Sequence, residues 1–521
     1  MAKAKALGAK IQKAAHQREQ GFGKPIISVE ASGQRFLVVC NRIYHSPNWQ
    51  TFHDFLREFL FSLLGPEWLR EETAKSLEIQ HPIARWVVMA QSDVTSVPII
   101  NGLRHGDMTG SMKAFMQLAY NLYLIAHNSP PDDAFDRVRG YVARLKQRHF
   151  GNFLGALYET YAAAAFLKAG FNIQYEEESK GERSYTEFVA VYPQTGRTFS
   201  VEAKARNSSG APQDDEVKRL RVTSKLITAL NKYSEHERIV MIELNVPDEV
   251  SEDLANQWPA AAMDQIRSAE GLTNNDGQEF DPAYVIVTNH NYHSRLDARV
   301  QTQALGFGYK IPDFAPAVPI SSFYEYVCSQ ERHVEIDALM SSLKDHSHIP
   351  ATFDGQPPEL AFDPDQRPRL TVGEVYEIPS ADGDPVAGLL ESGTVMESQQ
   401  LAYCVHRLEN GTRIIATHPL SDSEMTVWRR NPSIFFGEED RVKKPAESPL
   451  DFAKFLYESY KNTDRTKLEE WLSPWVPAAA LAEMDQKQLA ARYCEDMAMQ
   501  MWKTTQANKP GGKVSRNSAG D

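Results

Sequence analysis

Apolar and polar positions change period several times along this chain, and each change marks an element. From Thr51 to Leu64 apolar residues recur at helical spacing, with Phe52, Phe55, Leu56, Phe59 and Leu63 on one side and Gly65-Pro66 closing the run. The same spacing predicts helices over Ser111–Ala126, Ala134–Phe150 and Gly151–Lys168, the last capped by Gly170. The pattern then shortens to period two. Tyr185–Tyr192 and Arg197–Arg206, joined by Pro193-Gln-Thr-Gly196, read as a hairpin. After an Asn207–Pro212 loop, Asp214, Asp215 and Glu216 suit a helix start, because acids favour the positive end of the helix dipole. That helix is predicted to run to Tyr233, with Val217, Leu220, Ile227 and Leu230 as its core stripe. Arg238–Val246 is an apolar run of the kind buried on both faces of a sheet. A helix over Ser251–Ala269, interrupted near Pro259, separates it from a second strand, Tyr284–Thr288, which is the signature of a crossover.

Outside this stretch the pattern predicts a strand over Arg35–Cys40, a helix over Ser321–Leu343 and a linker marked by Gln356-Pro-Pro and Asp363–Pro368. Gly373–Ile378, Leu401–Leu408 and Thr412–Thr417, with a turn signal at Asn410-Gly411, predict a small antiparallel barrel or sheet. Helical spacing returns over Ser448–Thr504, where Leu456, Tyr460, Trp471 and Trp475 imply packing. The fold class is therefore α/β. The expected parts are a basic leader (1–25), a helix-rich module (26–130), a central α/β core (131–310), a connector (311–368), a β-rich domain (369–437), C-terminal helices (446–507) and a disordered tail (508–521).

A formal net charge of −13 argues against a polycation that coats nucleic acid indiscriminately, leaving local patches as the place to look. Cys40, Cys328, Cys404 and Cys494 are far apart, so neither a zinc ribbon nor a disulfide framework is suggested, and a reducing cytoplasm is the plain expectation. No apolar run reaches the 18–20 residues or so of a membrane span, and the N-terminus lacks the apolar core of a secretory signal. His45, His53 and His81, His290 and His293, and His346 and His348 show no decisive ligand spacing and are assigned no metal role.

The hairpin carries the candidate chemistry. With Gln194 and Thr195 at its tip, Tyr192 faces Arg197, and counting back, Glu187 faces Glu202. Side chains alternate along a strand, so Glu202 and Lys204 share a face that Glu187 joins from the next strand. Like charges opposed across a ladder are destabilising. The pair must lie in water or hold a cation between them, and an oxygen-ligated divalent ion such as Mg²⁺ would suit. Lys218, Arg221 and Lys225 fall at i, i+3 and i+7 on the following helix, a basic stripe suited to a phosphodiester backbone, with Arg206 beside it.

A helical Glu159, a hairpin Glu187 and the Glu202-Ala203-Lys204 tripeptide, in that order, resemble the PD-(D/E)xK, or restriction-endonuclease-like, nuclease superfamily. Thr186-Glu187 stands where the family usually has Pro-Asp. The resemblance implies a mixed sheet flanked by helices and Mg²⁺- or Mn²⁺-dependent phosphodiester hydrolysis, with DNA ahead of RNA as substrate. It implies Glu159, Glu187 and Glu202 as metal ligands, and Lys204 as the residue that prepares the attacking water. A role in bacterial defence would be in keeping with it. The rival reading is a nuclease-like subunit that cuts nothing and binds nucleic acid or a protein partner in a defence or repair complex; a protein partner or a homo-oligomer is open under either reading.

Overall fold

The computed structural model describes residues 13, 17, 19–97, 99–100, 103–104, 108–175, 186–206, 220–246, 258–274, 276–290, 296–297, 303–314, 322–354, 369–378, 385–409, 413–430, 432–437 and 448–507. Most of the leader, the 207–219 segment with Lys218, His293, the Asn410-Gly411 turn and the tail fall outside them. The chain divides into two compact units. One is Met1–Ala315 with Ala338–Arg441, the other Pro316–Asp337 with Val442–Asp521.

The first unit opens with an antiparallel meander, β1 (Ile27–Ala31), β2 (Gln34–Val39) and β3 (Arg42–Ser46), where one strand was expected. The helix predicted from Thr51 is Phe52–Leu64. Thr51 Oγ1 accepts from the Asp54 amide while the Asp54 carboxylate accepts from the Thr51 amide, a reciprocal cap that fixes where it begins. Phe52, Phe55 and Phe59 stack along its buried face and meet Tyr123 of the helix Gly110–Asn128, whose residues are almost all buried. After Ile99–Ile100 and Leu103–Arg104, a two-strand pair (β4 and β5), the chain enters its main sheet through the helices Ala134–Leu145 and Phe150–Lys168.

The end of Phe150–Lys168 is set by local chemistry. Gly170, at φ +90°, takes the left-handed position. Its amide donates to Leu167 O and that of Phe171 to Phe166 O, while the Phe166 and Phe171 rings pack 5.0 Å apart. The turn this makes launches β6 (Asn172–Tyr175), a strand the sequence reading lacked. The hairpin is β7 (Phe188–Val191) and β8 (Thr198–Ala205), shorter at both ends than predicted. Then come the helix Val222–Leu230, β9 (Glu237–Glu243), the helix Trp258–Ala269, β10 (Ala283–Asn289) and β11 (Gln303–Tyr309). Pro259 is the second residue of Trp258–Ala269, and the 251–257 part of the predicted helix lies outside the described residues.

The six strands form one mixed sheet in the order β11-β10-β9-β8-β7-β6. β8, β9 and β10 are parallel neighbours, and the outer pairings are antiparallel. The helices Val222–Leu230 and Trp258–Ala269 cover one face, packing Leu226, Leu230, Trp258 and Ile266 against Val240, Ile242, Val285 and Val287. The chain is thus α/β with a mixed central sheet.

The β-rich segment is a four-stranded antiparallel sheet, β12 (Val375–Ile378), β13 (Val386–Met396), β14 (Leu401–Leu408) and β15 (Arg413–Pro419). The long β13 was not foreseen, and a bulge falls between its Leu390 and Ser392. In place of one helix over Ser321–Leu343 there are two, Phe323–Arg332 and Val334–Lys344. In the second unit, helices Pro449–Tyr460, Arg465–Leu472, Ala478–Glu483 and Gln486–Ala507 bury Leu456, Leu468, Leu472, Leu489 and Cys494. Tyr460 and Trp471 pack edge to face as expected, whereas Trp475 is 52% exposed. Among the described residues no helix is long and apolar enough to cross a membrane.

Candidate active site: carboxylates and lysines on the central sheet

The hairpin register follows from its turn. Gly196, at φ +74°, lets its amide reach Tyr192 O, and the Tyr192 amide donates to Arg197 O. Phe188 then pairs with Val201 and Val191 with Thr198. Glu187 lies just outside β7: its amide donates to Val201 O at 3.0 Å, one step off the register that pairs Phe188 with Val201, so it sits beside Glu202 and not squarely across the ladder from it as counted from the turn. In the parallel ladder Glu202 is level with Val240 and Lys204 with Ile242. The acid and the amine therefore share the face covered by Val222–Leu230.

Glu202 is almost wholly enclosed, its side chain 2% exposed, while Glu187 and Lys204 reach the surface at 21% each. Lys204 Nζ contacts Glu202 Oε1. A second ammonium, Lys232 Nζ, lies 2.8 Å from that oxygen and 3.5 Å from Glu187 Oε1. Lys232 follows the helix Val222–Leu230 and is held by a neighbour. The buried Arg238 guanidinium donates to Leu230 O at 2.7 Å and Lys232 O at 2.9 Å. At ~4 Å and an effective dielectric of about 20, two like charges repel by about 4 kcal/mol. The cation between these two carboxylates is an ammonium of the chain itself.

Glu159, on Phe150–Lys168, is buried and receives both Arg144 guanidinium nitrogens in a two-point pair. Burial raises the Glu159 pKa above the ordinary carboxylate value; Arg144 opposes this, and the charges on Glu187 and Glu202 add to it. The Glu202 pKa is raised in the same way, first by burial and then by Glu187, against the pull of Lys204 and Lys232. For Lys232 burial acts downward, but Glu202 and Glu187 together outweigh it and raise its pKa. These mutual influences place Glu159, Glu187 and Glu202 in one electrostatic neighbourhood, with three acids matched by Lys204, Lys232 and Arg144.

Of the predicted basic stripe, Lys218 lies outside the described residues, and Arg221 and Lys225 can be placed. Arg221 stands outside the helix at its N-terminal boundary, in the left-handed conformation at φ 58°. Lys225 lies near Lys204 and Arg221, and burial followed by those two charges lowers its pKa. Arg206 is not part of a stripe. It is 5% exposed, Nη1 points to Leu244 O, its amide donates to Glu243 O and its carbonyl accepts from Asn245 Nδ2. It braces the ends of β8 and β9 and presents no surface to a phosphate. Lys232, absent from the sequence reading, follows Lys225 by seven residues; that repeat on one helical face was the available signal.

A second polar group closes the ends of β9 and β10. Glu243 accepts from Thr288 Oγ1 at 2.7 Å and from the His290 amide at 2.7 Å, and lies 2.6 Å from His290 Nδ1; Tyr158 Oη meets Thr288 Oγ1 at 2.8 Å. Burial pushes the Glu243 pKa up, but His290 and these hydrogen bonds together bring it below the usual range. The predicted apolar strand thus ends on a fully bonded carboxylate.

Glu202 stands apart from these satisfied groups. Its Oε1 is held by the two ammoniums, while the buried Oε2 has no hydrogen-bond partner among the described residues. Such an oxygen suits a hard cation, and Glu187 beside it opens the place to solvent. Comparison with family models, curated proteins and solved structures finds no match to this chain.

Proposed function

We propose that this chain is a metal-dependent phosphodiesterase of the PD-(D/E)xK kind, acting on DNA. The observation that carries the reading is the cluster itself: Lys232 bridges Glu187 and Glu202, Lys204 shares the strand face of Glu202, and buried Glu202 Oε2 has no hydrogen-bond partner among the described residues. Glu187 and Glu202 are the residues that would hold Mg²⁺ or Mn²⁺. Glu159, both of whose oxygens lie on Arg144, completes the ligand set only when that pair opens. A bound divalent ion acidifies water and offsets charge at phosphorus.

The remaining work falls to the chain. Lys232 withdraws from between the carboxylates and becomes available to a phosphate oxygen. Lys204, kept beside Glu202, orients the attacking water or takes its proton, a contribution worth about 10²–10⁴-fold in general acid–base catalysis. Lys225 and Arg221 supply charge for the backbone without reading sequence.

One observation favours the rival reading of a binder that does not cut. Lys232 already neutralises the acidic pair, so the site is electrostatically complete without a metal. Purified chain incubated with plasmid, linear duplex and single strands, in Mg²⁺, Mn²⁺ or EDTA, separates the two. Metal-dependent cleavage that falls at least about 100-fold in a folded Lys204→Ala variant supports the nuclease. Salt-dependent binding with no cleavage in any metal supports the binder.

A further inference from the structure

The four-stranded sheet carries a second constellation unrelated to the carboxylates. On β14, Cys404 and His406 are two apart and share a face; on β15, His418 is level with Ala402, which lies on that face too. Cys404 and His406 are fully buried and His418 is partly so. One ligand atom from each, a sulfur and two ring nitrogens, lie within 4.8 Å of one another. The two Nε2 atoms are 3.0 Å apart. A single N–H···N bond accounts for that pair but leaves the Cys404 sulfur outside it. His406 Nδ1 is also buried with no well-aligned hydrogen-bond partner, the Gly388 backbone acting on the ring from nearby. Three polar groups on the inner face of a sheet, beside Leu390, Leu420 and Met425, are costly unless something joins them.

We infer that Cys404, His406 and His418 form a binding site for a borderline divalent cation of the Zn²⁺ class. Tetrahedral zinc with sulfur at about 2.3 Å and nitrogen at about 2.0–2.1 Å sets its ligand atoms about 3.3–3.6 Å apart, a spacing reached by small side-chain adjustments from ring nitrogens 3.0 Å apart and a sulfur within 4.8 Å. A thiolate and two imidazoles exclude Mg²⁺ as the preferred occupant, which separates this site from the oxygen-only one on the central sheet. Three protein ligands leave the fourth position to water or a further donor. Arg369 lies close enough to act on Cys404 and His418, and Glu424 Oε1, 2.9 Å from its Nε, offsets its charge.

Burial lowers the pKa of both imidazoles, His418 adding to this at His406 and Arg369 at His418. Burial pushes the Cys404 thiol up to about 11, with Arg369 pulling the other way. Loading therefore forms a metal–sulfur bond, breaks the S–H bond and releases one proton to buffer per ion bound. Bridging β14 to β15 beneath a short apolar core, the ion acts as a staple for a sheet too small to bury much surface.

The test uses the full chain, stripped with EDTA and titrated with Zn²⁺ and Co²⁺. Expected are a thiolate-to-Co²⁺ charge-transfer band with tetrahedral visible bands, displacement by Zn²⁺, and about one proton released per ion at this site. Cys404→Ala abolishes the band. His418→Ala, at the most exposed ligand, weakens binding at least about tenfold and keeps the site testable if the cysteine variant does not fold. Glu202→Gln keeps the band, so failure of the nuclease reading leaves this one standing. A folded protein with no thiolate–Co²⁺ band, or a band that survives Cys404→Ala, overturns the inference.

Discussion

Removing the Lys232 ammonium is the sharpest perturbation of the candidate active site. In Lys232→Ala, Glu202 loses the 2.8 Å contact and Glu187 the 3.5 Å one, while Lys204 stays on Glu202 Oε1. Breaking a fully buried pair costs about 3–5 kcal/mol. Here one cation remains and Lys232 is partly exposed, so a loss of about 1–3 kcal/mol is expected in EDTA at neutral pH. The sign with pH is determined. The Glu202 pKa is already raised, so its ionisation opposes folding as pH rises through that value, and losing Lys232 raises it further. The deficit should therefore shrink as pH falls towards and below the raised pKa, where Glu202 is protonated. Mg²⁺ or Mn²⁺ in the vacated place should restore stability; an ion present at a hundred times its Kd contributes about 2.7 kcal/mol. Urea unfolding of wild type and variant, with EDTA and with each metal, measures this directly. A loss that no divalent ion relieves, at any pH, would refute the view that ammonium and metal compete for one place.

Three further substitutions test neighbouring claims. Glu243→Ala removes a fully bonded buried carboxylate and should cost about 3–5 kcal/mol at neutral pH. Because the folded-state pKa of Glu243 is depressed, its contribution is present above the ordinary carboxylate range and lost as pH falls through the depressed value, which pH-dependent unfolding of wild type and variant reads out. Gly170→Ala puts a Cβ 2.9 Å from Phe22 Cβ at a positive φ and should destabilise by about 1 kcal/mol or more in thermal melts. Arg206→Ala should lower stability while leaving the salt dependence of any DNA binding unchanged, because its guanidinium faces Leu244 O; a slope smaller by about one would show a phosphate contact instead.

Local chemistry was legible in the chain itself. The Thr51 cap, the Gly170 stop and the Pro193–Gly196 turn act within a few residues, so they can be read from sequence, and the turn fixes the register that pairs Phe188 with Val201 and so brings Glu187 beside Glu202. Strands with weak local signals were not: β6 has four residues, β11 carries Gly306 and Gly308, and β13 carries Gly388 and Gly393. Such segments become strands because a neighbour offers a ladder, not because their own residues demand it. Tertiary structure alone decided that Lys232 reaches Glu202 across 30 positions of chain, that Arg144 claims Glu159, and that Arg206 is buried. It also gathered Cys404, His406 and His418. Alternation tells which side of a strand a residue faces; which charge waits on that side depends on chain folded back from far away, and no local period records it.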